Sequence, residues 1–141
     1  MARFHERIMG VYFDDLDPYE ILHNARYILL FERTLGSLWE EMGYGGLQER
    51  AEAMHLVRAN TIEYHRPFRG TGKARVRVWI ERLGRSSMTF GFRIMPIDED
   101  VDYASGTRVV VHIAGEPWAP APWQDAFRKQ VAPWVNGEGV G

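Results

Sequence analysis

The spacing of apolar residues changes once along the chain, and the change separates two kinds of structure. Tyr27, Phe31, Leu35, Leu38 and Met42 recur every three or four residues, the period of a helix with one buried face. Asn24 is a suitable N-cap before this stripe and Gly43 a suitable stop after it, which predicts a helix of about twenty residues, roughly 30 Å long. After the Gly43-Tyr44-Gly45-Gly46 break and a short polar connection, alternation replaces the helical period. Ala74, Val76, Val78 and Ile80 alternate with Arg75, Arg77 and Trp79, the pattern of a strand with one face in a core. Similar runs at 57–64, 87–95 and 107–113, with an opening run at 5–13, complete five predicted strands.

Gly70-Thr71-Gly72, Leu83-Gly84-Arg85 and Asp98-Glu99-Asp100 punctuate the later runs as turns, so successive strands are expected to be antiparallel neighbours. A proline-rich stretch at 115–122 precedes Trp123, Phe127 and Val131 at four-residue spacing, with Pro133 as a stop. Residues 115–135 therefore read as a terminal extension with a short helix, and the glycine-rich 136–141 as a flexible tail. In so short a chain, a stripe of this length is buried only if the concave face of one curved sheet wraps around it. The expected architecture is α+β, a single domain over 1–141 with a five-stranded antiparallel sheet around one long helix. Arg75 and Arg77 are left to a solvated convex face, and the open sheet edges favour dimerisation.

With 141 residues, 45% of them hydrophobic, the chain has material for one substantial core. Its 17 basic and 19 acidic residues give a formal net charge of -2, which argues against a nucleic-acid-binding surface. The absence of cysteine excludes a disulfide scaffold, a thiolate metal site and a cysteine nucleophile. His5, His55, His65 and His112 lack metal-ligand spacing, and the acidic run 98–102 lacks the ligand pattern of a calcium loop and reads as a solvated turn. No metal site is expected. Neither a signal peptide nor a membrane span is recognisable, so a soluble cytoplasmic protein is expected.

The densest feature is Asp15-Leu16-Asp17-Pro18-Tyr19-Glu20-Ile21-Leu22-His23-Asn24-Ala25-Arg26-Tyr27, an acidic loop running into the start of the long helix. Unpaired N–H groups at a helix start polarise a carbonyl and stabilise an oxyanion, and a carboxylate in the preceding loop lies within reach of the same atom. Taken alone, Asp17 is an ordinary loop aspartate before proline.

This helix-opening motif resembles that of the hot-dog-fold acyl-CoA thioesterases of the 4-hydroxybenzoyl-CoA thioesterase type. The resemblance extends to Arg58-Ala59-Asn60-Thr61-Ile62-Glu63-Tyr64-His65-Arg66-Pro67-Phe68 and to Leu83-Gly84-Arg85-Ser86-Ser87-Met88-Thr89-Phe90. It implies a hydrolase acting on an acyl-CoA or acyl-carrier-protein thioester. Asp17 would be nucleophile or general base, and the Asn24 N–H would hold the thioester oxygen. Beside them stands His23, as an active-site group or as a satisfied residue at the helix start. Arg85, Ser86 and Ser87 would contact the coenzyme A portion, with Tyr27 as a further substrate contact. No cofactor is implied beyond the coenzyme A of the substrate, and the assembly would be a homodimer or homotetramer with active sites at the interface.

Two readings compete on the same fold. One is an acyl-thioester hydratase or dehydratase using His23 with Glu20, and the other is a non-catalytic acyl-CoA or acyl-carrier binding protein. Glu20 departs from the pattern because many relatives have glycine there, so a turn that needs positive φ would have to differ.

Overall fold

In the computed structural model, which describes residues 3–136, the change of period marks the division between helix and sheet. The strands are β1 (His5–Val11), β2 (His55–Tyr64), β3 (Gly72–Leu83), β4 (Ser87–Met95) and β5 (Ala104–Ala114). The helices are α1 (Asn24–Glu41), α2 (Leu47–Glu52) and α3 (Asp125–Val131), and a two-residue β6 (Ala119–Pro120) adds to the end of β5. The antiparallel sheet runs in the order β1-β3-β4-β5-β2. The expectation that successive strands are neighbours fails at one place. β2 pairs with β5 rather than β3, because the chain between Tyr64 and Gly72 crosses an end of the sheet instead of making a tight hairpin. Register shifts between Val57 and Ala59 and between Ile80 and Arg82 bend the sheet. The result is the hot-dog arrangement of a curled sheet around one helix.

The concave face is built by alternation. Ala74, Val76, Val78 and Ile80 of β3 are fully buried, as are Phe90, Phe92 and Ile94 of β4. Against them lie Leu30, Phe31 and Leu38 of α1, with the Phe31 and Phe92 rings stacked at 4.4 Å. The helix ends where expected, since Gly43 takes a φ of +93° just past the Met42 C-cap. A charged group enters this core from β5. Arg108 of β5 is only 7% exposed, donates to Asn60 Oδ1 of β2 and to Glu32 Oε1 of α1, and lies 5.1 Å from the centre of the Phe31 ring. At one end of the core Trp123, Phe127, Val131 and Trp134 pack over the sheet, with Trp123 Nε1 donating to Ser87 O. Residues 137–141 of the expected tail lie outside the described residues.

The convex face differs from a simply solvated one. Arg77 and Arg75 both reach Glu6 of β1, at 2.9 and 3.6 Å. The acidic turn supplies the partners of Arg93, Asp102 and Asp100, at 2.7 and 2.8 Å.

The loop before α1 is tied down at several points. Leu22 N–H donates to Phe68 O, Gly70 N–H to Glu20 O, and His23 N–H to Asp15 O. Asp15 itself is buried and accepts from Tyr12 N–H at 2.8 Å. Glu20 takes a φ of +62°, the one positive φ at a non-glycine residue among the described residues. A residue with a Cβ thus adopts the positive φ that it would be expected to avoid. The bonds on either side hold Glu20 in the left-handed region despite its steric cost.

Two stability outcomes follow. Glu20→Gly removes a left-handed strain of about 1–2 kcal/mol but restores backbone freedom to the unfolded chain worth about 0.4–1, so denaturation should show a net gain of about 0.5–1 kcal/mol. A loss would mean that the Glu20 side chain holds the loop. Phe92→Ala, at the stacked centre of the core, should cost about 3–5 kcal/mol in the same measurement.

Candidate active site

The tethered loop, the start of α1 and the end of β2 enclose an open cleft of about 650 Å³. Asp17, His23, Asn24 and Tyr27 all line it, so the structure brings together four of the seven residues singled out from the sequence. Asp17 is half-buried. Its Oδ1 accepts from Tyr19 N–H at 2.8 Å and Ile21 N–H at 3.4 Å, the local turn that a short acidic side chain favours. Those bonds fix the carboxylate on one side, and Oδ2 has no hydrogen-bond partner among the described residues.

The N-cap expected at Asn24 falls one residue earlier. The N-cap is His23, with φ -61° and ψ 136°, and its Nδ1 accepts from Ala25 N–H at 3.0 Å. The capping bond places the imidazole proton on Nε2. Asn24 is the first helical residue, and its N–H makes no hydrogen bond among the described residues. It is one of the orphan donors that every helix start presents, here at the positive end of an 18-residue helix. The Tyr27 ring is buried, packs edge-on against Tyr64 at 5.2 Å, and its hydroxyl accepts from Phe68 N–H at 3.4 Å. Burial pushes the Tyr27 hydroxyl above its ordinary pKa, keeping it neutral.

The His23–Glu20 pair required for a hydratase is not assembled. Glu20 does not line the cleft, and His23 Nδ1 is committed to the cap. Tyr64, His65 and Arg66 line the cleft although sequence reasoning did not select them. They stood inside a run matched to the family only as a strand and turn, and nothing in their spacing revealed that β2 ends beside α1. Tyr64 completes the junction by donating to Asn24 O at 3.0 Å.

Arg85, Ser86 and Ser87 lie elsewhere in the chain. Ser87 is level with Val111 of β5, which is level with Leu56 at the far end of β2. Tyr64 is eight residues further along that strand, a separation of roughly 26 Å at 3.3 Å per residue. Within one chain the expected coenzyme A contacts and Asp17 therefore belong to different surfaces. Ser86 and Ser87 instead line a second cleft, with Arg58 and Trp118. Among the described residues there is no cluster of histidine, aspartate or glutamate able to hold a metal ion, and no helix long and apolar enough to cross a membrane.

No curated protein matches the chain, but solved structures share its fold. A predicted thioesterase from Bacillus stearothermophilus is 17% identical, with a TM-score of 0.83 over 97% of this chain and 100% of its own. A 1,4-dihydroxy-2-naphthoyl-CoA thioesterase from Synechocystis is 14% identical, with a TM-score of 0.81 over 92% of this chain and 96% of its own. A thioesterase from Thermus thermophilus, complexed with coenzyme A and zinc, is 25% identical, with a TM-score of 0.76 over 90% of this chain and 91% of its own. A family model also matches residues 11–131, from the last residue of β1 to the last of α3, and by that match the chain belongs to the thioesterase-like superfamily.

Proposed function

We propose that this protein hydrolyses an acyl-CoA thioester to the free acid and coenzyme A, with Asp17 as the catalytic carboxylate. One observation carries the reading: Asp17, fixed through Oδ1 and with Oδ2 unbonded among the described residues, lines the same cleft as Asn24, whose N–H is likewise unbonded. A thioester carbonyl seated between them accepts from that N–H at the positive end of α1, which stabilises the oxygen as negative charge develops on it. Oδ2 then acts in one of two ways. It attacks the carbonyl carbon, forms a mixed anhydride and expels the thiolate, after which water cleaves the anhydride. Alternatively, it takes a proton from a water molecule that attacks the same carbon; the tetrahedral intermediate then breaks its C–S bond, and the leaving thiolate takes up the proton as coenzyme A thiol. His23 serves this arrangement as the helix cap that leaves the Asn24 amide free.

The rest of the reading concerns assembly. The outer edge of β2 is unpaired and carries the exposed side chains of Leu56, Val57 and Tyr64. A second copy pairing antiparallel along the whole strand sets its His55 beside Tyr64 and carries its own Arg85–Ser87 turn with it. Only three strand spacings, roughly 14 Å, then separate that turn from Tyr64. A homodimer thus supplies the coenzyme A contacts that one chain cannot; the 25% identical thioesterase complexed with coenzyme A and zinc supports coenzyme A as the ligand, not the assembly.

Thiol release from a panel of acyl-CoA substrates tests the chemistry. Asp17→Asn should lower kcat by at least about a hundredfold with the fold intact, and unchanged turnover would remove Asp17 from the mechanism. Sedimentation tests the assembly. The wild type should run as a dimer or a multiple of it, and Val57→Lys, which puts a charge on the pairing edge, should yield an inactive monomer.

A further inference from the structure

The turn between β3 and β4 closes on itself, with Gly84 N–H donating to Ser87 O at 2.8 Å. A surface turn can leave its carbonyls to water. Here all four carbonyls of residues 84–87 are bonded inside the chain. Gly84 O accepts from Arg128 Nη1 at 2.8 Å, Arg85 O from Trp123 N–H at 2.9 Å, Ser86 O from His112 N–H at 2.7 Å and Ser87 O from Trp123 Nε1 at 3.0 Å. Apart from the one supplied by His112, these donors belong to the terminal extension.

The extension is shaped to deliver them. Pro120 pairs with Ile113 at the end of β5, which carries Trp123 to the turn. The Trp123 ring is buried and lies between His112 at 4.7 Å and Phe127 at 4.3 Å, within 18° of parallel to each. Helix α3 then presents Arg128, which enters no ion pair among the described residues. A guanidinium that meets a carbonyl instead of a carboxylate keeps its positive charge beside the turn.

With its carbonyls engaged, the turn has mainly donors left to offer. The N–H groups of Arg85 and Ser86, the Arg85 guanidinium and the hydroxyls of Ser86 and Ser87 make no hydrogen bond among the described residues. A ligand rich in acceptors and negative charge matches that set, and a phosphate is such a ligand. We infer that the terminal extension positions this turn for the phosphates of coenzyme A. Arg128 and Trp123 touch no ligand themselves but hold the carbonyls inward, so that the amides and side chains of Arg85–Ser87 meet the anion. The inference rests on the reading of that turn as the coenzyme A contact.

Coenzyme A and pantetheine, which lacks the phosphates, separate this role from plain support of the fold. Calorimetry compares their binding to the full-length wild type, Arg128→Met, Trp123→Phe and Arg128→Lys, with Arg85→Ala as the reference for the turn. Arg128→Met and Trp123→Phe each remove one donor and keep the apolar bulk, so either carries the test if the other does not fold. Each should weaken coenzyme A binding about fivefold, the scale of one hydrogen bond, with pantetheine changed less than about twofold. Arg128→Lys keeps the charge and a donor, and should bind coenzyme A within about twofold of the wild type. In hydrolysis the two weakened variants should raise KM for acyl-CoA and leave kcat within about twofold, the mark of lost uniform binding. Equal losses for coenzyme A and pantetheine would make Arg128 and Trp123 supports of the fold and overturn the inference. So would unchanged coenzyme A binding in both variants while Arg85→Ala weakens it. Unchanged binding in Arg85→Ala would remove the reading of the turn, and the inference with it. Absence of thiol release from every acyl-CoA, with the binding changes as expected, would sink the hydrolase reading alone.

Discussion

Helix α1 has to be buried along most of its length while its first amide stays unbonded beside the cleft, and the rest of the molecule is arranged around these two demands. Burial is met by curvature. A flat sheet would touch the helix along one line, whereas the bulged sheet places Val76, Val78, Phe90 and Phe92 around it. Access is met by the loop, which is tied to the β2–β3 connection rather than laid across the end of the helix. Tyr64 joins the two solutions, since its ring packs on Tyr27 while its hydroxyl holds the first carbonyl of the helix.

The sequence disclosed what depends on periodicity and little of what depends on pairing. The α1 stripe and the alternation of β3 are local patterns, and the hydrophobic effect converts them into burial with little ambiguity. The partner of β2 is not local. Nothing in residues 55–64 distinguishes β3 from β5 as a neighbour, and proximity along the chain suggested the wrong one. The same gap hid the distance between Asp17 and Ser87, because a family motif states which residues serve a site but not where strand pairing places them.

At the site, side-chain chemistry was legible and backbone chemistry only partly so. Asp17 could be selected as a carboxylate before a helix. Composition did not show that His23 rather than Asn24 caps that helix, since asparagine is the commoner cap. Glu20 is the complementary case. Its side chain suggested a changed turn, yet the hydrogen bonds through Asp17 and Gly70 impose the conformation on whichever residue stands there.

The buried Arg108 has a mechanical consequence. Its guanidinium is held by Asn60 from the sheet and Glu32 from the helix, with the Phe31 ring beside it. Sliding α1 by one turn, about 5.4 Å, would strand a charge in the core with no alternative carboxylate in reach. The helix is therefore located along its axis from near its middle, like a shaft held by a pin rather than by its bearings. The amide at its tip is thereby positioned from inside the core as well as by the tethered loop that precedes it.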